Sequence, residues 1–207
     1  MSEWTALAVT ELLLDKPFTH PSCTQDDLRI LQFGVEQLRL LLENTALVVP
    51  TVEYEQLFWV EIDGRLHRLV VRDAGGLRTD SPLTLVGFFG QRRQTTDPEA
   101  IDQVDTELIT ELLAHPGLLA YCTIAIDDNV YGNLVLFRDE GAKLHWSNSE
   151  RHGYAVRVLS PKHYESVRLH NGRLPGGLYS SQPLLLERTK YLDYRGMLPW
   201  RGIREWA

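Results

Sequence analysis

Residues 118–139 read LLAYCTIAIDDNVYGNLVLFRD. Two apolar runs meet at Asp127-Asp128-Asn129, and this predicts two strands joined by a turn. The turn has some likeness to a calcium loop. Its twelfth position would be Arg138 instead of Glu, so an EF-hand is rejected. Upstream, PLTLVGFFGQRRQ predicts a buried strand with an apolar middle. Asp97 and Pro98 then offer an N-cap and a first helical position. Apolar residues follow at Ile101, Val104, Leu108 and Leu112, and Asp102, Asp105, Glu107 and Glu111 fall mostly on other, solvated faces. His115-Pro116-Gly117 ends that helix.

Downstream, HWSNSERHGYAVRVL predicts a helix starting near Ser147 or Ser149, broken at Ser160-Pro161 because Pro lacks an N–H and restricts its predecessor. YESVRLHNGRLPGG reads as a hairpin arm turning at Asn171-Gly172, with a helix as the alternative. QPLLLERTKYLDY closes the run as a strand. Residues 83–193 therefore read strand, helix, strand, strand, helix, strand. The fold class expected is α+β, a ferredoxin-like βαββαβ arrangement with an antiparallel sheet and helices on one face. A second sheet on the other face would close an α/β barrel.

The N-terminal part reads strand (WTALAVTELLL, with a helix as the alternative), helix, strand, strand. Thr24 and Asp27 suggest the helix start, and Leu28, Leu31, Val35, Leu38 and Leu42 form its stripe. Asp63-Gly64 between two alternating runs signals a tight hairpin. Gly75-Gly76 opens a loop that lacks the GK[ST] ending of a phosphate cradle. The expected division is a βαββ half over 1–80 that can be read as a degenerate repeat, an α/β-barrel domain over 81–194, and an irregular tail over 195–207 carrying Trp200 and Trp206.

The chain has 207 residues, 43% apolar and 24% charged, with a net charge of −7. That balance suits a globular protein with a substantial core and argues against nucleic acid as a general partner. Two cysteines in no metal-type spacing, acids at 3 and 11 without a basic leader, and no apolar run near 20 residues predict a cytoplasmic chain with no signal peptide and no membrane span.

The apolar strand TLVGFFG, the helix end LLAHPGLLAY, the helical SERHGYAV and the closing strand LLLERTKYLDY resemble the dimeric α/β-barrel superfamily, which includes antibiotic-biosynthesis-monooxygenase-like and chlorite-dismutase-like proteins. The resemblance covers the C-terminal half. It implies a homodimer and a small-molecule ligand, and a cofactor-independent monooxygenase-like activity on a small aromatic or apolar substrate. Some barrel relatives bind haem through one histidine.

Four of the seven histidines, His145, His152, His163 and His170, fall within residues 145–172 at spacings of 7, 11 and 7. Seven residues on a helix span about 10.5 Å, too far for two ligands of one zinc ion. On a strand, His163 and His170 would face opposite ways. A shared metal site is therefore not expected. No Ser-His-Asp order, nucleophile elbow or HExxH occurs. The expectation is no cofactor, with haem on a single histidine as the alternative, His152 first and His170 second. A third reading is a non-catalytic interaction or stress-related protein with a filled barrel. Candidate ligand-binding residues are His152, Trp146, His145, Tyr154, Tyr121, Tyr131, Phe88 and His170, with His145-Trp146 at the mouth of the cavity. A helical wheel places His152 beside Ala155 and Leu159, facing the sheet, with His145 and His163 more exposed. Arg92, Arg93, Arg151, Arg157, Lys162 and Arg168 read as solvated charges that could attract an anion.

Overall fold

The computed structural model describes residues 3–44, 56–62, 65–94, 110–126 and 130–206. Its strands are β1 (Thr5–Leu7), β2 (Gln56–Ile62), β3 (Arg65–Val71), β4 (Leu83–Arg92), β5 (Leu118–Ala125), β6 (Val130–Phe137), β7 (Tyr164–Leu174), β8 (Leu185–Asp193) and β9 (Trp200–Glu205). Among the described residues they form one sheet in the order β1-β9-β8-β7-β4-β6-β5-β3-β2. The β1–β9 pair is parallel and every other pair antiparallel.

The alternation read in the sequence appears directly. Along β4, Leu83, Leu85 and Phe89 point to one face, and Val86 and Phe88 to the other. The turns at Asp63-Gly64 and at 127–129 lie outside the described residues, but β2 pairs β3 up to Ile62↔Arg65, and β5 pairs β6. The expected helix over 98–114 also lies outside them, except for a last helical turn at 110–113. Leu112 and Leu113 are buried there. Gly117, at φ +94°, makes the reversal into β5 that a residue with a Cβ resists.

Helix α1 (Pro21–Glu43) starts earlier than the expected Thr24. Pro21 has its φ preset for a first helical turn, and His20 Nδ1 accepts a hydrogen bond from the Ser22 N–H at 3.1 Å. Thr24 and Asp27 are thereby freed from capping and turn inward. The stripe Leu31, Val35, Leu38 and Leu42 is buried as read, with Leu28 at its rim, against Leu85, Leu134 and Leu136 of the sheet. Helices were expected on one face only. Instead α1 covers one face, and the elements after β6 cover the other. The strand order is linear, with β1 and β2 at its edges, and α1 occupies the face where a second sheet would close a barrel.

Four further readings are corrected. The strand expected over 4–14 stops at Leu7, because β9 offers it only three partners, Gly202 to Arg204. Asn171-Gly172 is not a turn but a register shift inside β7. A Cβ on Gly172 would lie 2.4 Å from the Leu185 carbonyl oxygen, so a close backbone approach, not a reversal, requires this glycine. The tail is not irregular: β9 lies between β1 and β8. Gly75-Gly76, read as loop, lies in the short helix α2 (Ala74–Leu77), whose N-cap Asp73 accepts from the Gly76 N–H at 2.8 Å.

The helical layer after β6 is α3 (Glu140–Ser147), α4 (Glu150–Tyr154), a π-helical turn (Ala155–Leu159) and α5 (Ser160–His163). Ser149 caps α4 through the His152 N–H, as its sequence position suggests. Pro161 does not break the helix. Its ring would crowd the carbonyl of Arg157 four residues back, and the wider π-turn relieves that crowding. No helix among the described residues is long and apolar enough to cross a membrane.

Candidate functional site

Between the second sheet face and this helical layer lies a cavity of about 530 Å³. Strand register lays out its floor. Lys190 on β8 stands opposite Leu169 on β7, Leu169 opposite Phe88 on β4, and Phe88 opposite Asn133 on β6. These four side chains form one row and all line the cavity. The neighbouring pair Leu192 and Val167 continues the apolar floor. Tyr121 and Trp146 close one end, and Trp4, Tyr194 and Arg201 the other wall. The roof is the π-turn and Pro161.

Of the histidines, His152 lines the cavity and is half-buried. Its Nδ1 lies 3.1 Å from the Ser147 carbonyl oxygen, and a carbonyl can only accept. The proton of the neutral ring therefore sits on Nδ1, and Nε2 keeps its lone pair. Burial holds the pKa of His152 below 6.5. The Ser147 carbonyl opposes that shift, and Lys190 adds to it. The ring stands edge-on to Trp146 at 5.8 Å. The wheel's neighbours Ala155 and Leu159 line the same cavity.

Phe88, Tyr121, Trp146 and His152 of the sequence candidates come together here. The other four do not. His145 is exposed and sits 2.6 Å from His115 through Nδ1 and Nε2, outside the cavity, so it does not share the mouth with Trp146. Tyr154 is 49% exposed. Tyr131 lies beneath the Arg92 guanidinium at 4.0 Å. His170 points to the α1 face and is fully buried. His163, expected outside, is half-buried and lines the cavity. Burial, and then Lys162 and Arg92, lower its pKa.

Lys190, Asn133, Arg201 and Trp4 also line the cavity and were missed, and Arg157, read as a solvated charge that could attract an anion, lines it too. Lys190 had a legible signal, since it shares strand parity with Leu192 and Tyr194. Arg201 and Trp4 had none, because only the β9 and β1 pairings bring them here.

A second polar cluster lies under α1. Arg168, read as a solvated charge, forms a two-pronged pair with Asp27, Nε to Oδ2 at 2.5 Å and Nη2 to Oδ1 at 2.8 Å. His170 Nε2 donates to Asp27 Oδ2 at 2.8 Å, so its Nδ1 accepts from the Thr189 hydroxyl, also at 2.8 Å. Trp206 Nε1 donates to the same hydroxyl oxygen at 2.7 Å. Burial pushes the Asp27 carboxyl up, but its bonds to Arg168 and His170 outweigh that and hold it below its usual value. None of these residues lines the cavity, and the complete pairing marks the cluster as structural. Among the described residues, no group of three or more His, Cys, Asp or Glu is placed to hold a metal ion.

No family model matches the chain, and no curated protein matches it. Solved structures similar to part of it include a protein from Shewanella oneidensis, at 14% identity and TM-score 0.41, covering 46% of this chain and 93% of that one. A protein of unknown function from Nitrosomonas europaea matches at 10% identity and TM-score 0.41, over 50% of this chain and 95% of that one. SnoaB, a cofactor-independent oxygenase from Streptomyces nogalater, matches at 15% identity and TM-score 0.35, over 45% of this chain and 91% of that one.

Proposed function

We propose that this chain binds a small aromatic or apolar molecule in the cavity and acts on it as a cofactor-independent monooxygenase-like enzyme. In this reading β4 to β7 with their helices form a ferredoxin-like βαββαβ unit, and the chain works as a cytoplasmic homodimer. The observation that carries the activity is His152: a neutral imidazole with Nε2 unprotonated, set in an apolar chamber. Such a group takes a proton from a weakly acidic C–H or O–H. The resulting anion supplies the electrons to dioxygen. One oxygen atom becomes a product carbonyl and the other leaves as water, so a CH₂ group plus O₂ gives C=O plus H₂O.

The test uses 1-naphthol as the probe, with tryptophan quenching for binding and an oxygen electrode for turnover. The expected result is quenching, with oxygen uptake that falls about 10²-fold or more in His152→Ala at an unchanged melting temperature. Oxygen uptake equal in both proteins would end the enzymatic reading. The same lone pair favours a second reading, haem held by His152. A Soret band on adding haem that His152→Ala abolishes would select it.

A further inference from the structure

We propose that the ligand is an anion: a planar aromatic ring system carrying a carboxylate or equivalent acidic group, held by Lys190 and Arg201 beside Trp4. This rests on the cavity being a ligand site and goes on to name the class of ligand. Among the described residues, the basic side chains lining the cavity are Lys190, Arg201, Arg157, His152 and His163, and none of the lining residues is Asp or Glu. The chain as a whole carries −7, so this local excess of cations is not a reflection of composition.

Lys190 is half-buried and makes no hydrogen bond or ion pair among the described residues. Its ammonium stands 5.6 Å from the centre of the Trp4 ring, and the Arg201 guanidinium stands 5.9 Å from the same ring. One tryptophan ring thus gathers two cations into one corner. The nearby acid Glu205 is engaged by Arg188 at 2.6 Å. Arg201 Nε is buried with no acceptor. A desolvated ammonium and an unsatisfied guanidinium N–H both gain from a carboxylate, through charge-assisted hydrogen bonds made out of water.

The far end of the same row is also unsatisfied. Asn133 Oδ1 is buried without a partner. Three inter-strand steps separate it from Lys190, about 14 Å at the usual spacing. Phe88 and Leu169 lie between them as an apolar floor. A ring system lying along that row puts its acid at Lys190 and Arg201 and offers a hydroxyl or N–H donor to Asn133.

Calorimetric titration of the full chain with 2-naphthoate, naphthalene-2-carboxamide and inorganic phosphate tests this. The carboxamide matches the shape of the carboxylate without its charge. The expected result is that 2-naphthoate binds roughly tenfold or more tighter than the carboxamide, the ratio for one charge-assisted hydrogen bond. Lys190→Gln and Arg201→Gln should each reduce that preference, weakening 2-naphthoate more than the carboxamide, at an unchanged melting temperature. Equal binding of the two naphthalenes overturns the anionic class and leaves the cavity reading standing. Phosphate binding as tightly as 2-naphthoate overturns the aromatic part. Binding of neither naphthalene overturns the cavity reading and this inference with it.

Discussion

Asp27 is 2% exposed and answers two cationic or proton-donating partners at once, Arg168 and His170. Removing it leaves the Arg168 charge buried without its counter-ion. Breaking such a pair from one side costs about 3–5 kcal/mol. Asp27→Ala should therefore lower the urea midpoint sharply, while Arg29→Ala, in an exposed pair with Asp26, should shift it little. His170 adds a pH dependence. Burial lowers its pKa from 6.5 more than its bond to Asp27 raises it. The unfolded chain thus takes up a proton that the folded chain refuses, and the unfolded state binds more protons below that value. Stability is complete above pH 6.5 and falls as the pH drops through that value toward the folded pKa. His115, His152 and His163 are lowered as well and act in the same direction. Melting temperatures at pH 7.5, 6.5 and 5.5 should decline in that order, with a shallower decline in His170→Gln.

The elements themselves are held by local chemistry that one residue can undo. Strand β7 shifts register at Asn171/Gly172, and Gly172 lies against the β8 backbone. Gly172→Ala would press a methyl group onto the Leu185 carbonyl, which cannot swing away as a flexible side chain would. The expected cost is about 1–3 kcal/mol, read from chemical denaturation. Gly196→Ala, whose nearest neighbour would be the Leu198 carbonyl oxygen at 3.4 Å, is the matched control and should cost little. The π-turn is the other special element. Pro161 and the turn lie over the cavity, so the roof owes its shape to one proline. The helix periodicity of residues 150–160 correctly put His152, Ala155 and Leu159 together. A π-turn is not visible in periodicity, because it changes the phase of the helix only after Ala155.

At the scale of the whole molecule, both ends of the chain meet. Arg204 on β9 is fully buried and donates to the carbonyls of Ala8 (2.9 Å), Glu11 (2.7 Å) and Thr19 (2.8 Å), and to the Tyr191 hydroxyl at 3.0 Å. A chain ending at Tyr194 loses β9, the strand partner of β1, and exposes the β8 edge. Unpaired edges recruit other chains. In sedimentation the truncated chain should run as larger, heterogeneous species, and an unchanged mass would show that β9 is dispensable. The full chain at twice its own mass would support the proposed homodimer, and a single-chain mass would remove it.

The sequence by itself determined the strands β4, β5, β6 and β8 and the buried stripe of α1. Alternation and 3.6-residue spacing are properties of neighbouring residues, and Asp-Gly and His-Pro-Gly mark the breaks locally. It also named Phe88, Tyr121, Trp146 and His152, which the fold brings to one cavity, and a helical wheel put His152 on an inward face. It could not say which layer covers which face. Only the tertiary structure decided that α1 crosses to the C-terminal strands, taking Asp27 to Arg168 and His170, and that β9 enters the sheet beside β8, carrying Arg201 to the cavity. The first placement joins residues more than a hundred positions apart, and the second sets β9 between β8 and the distant β1. They are set by which apolar surfaces bury one another, and that depends on the whole packed sheet, not on any stretch read alone.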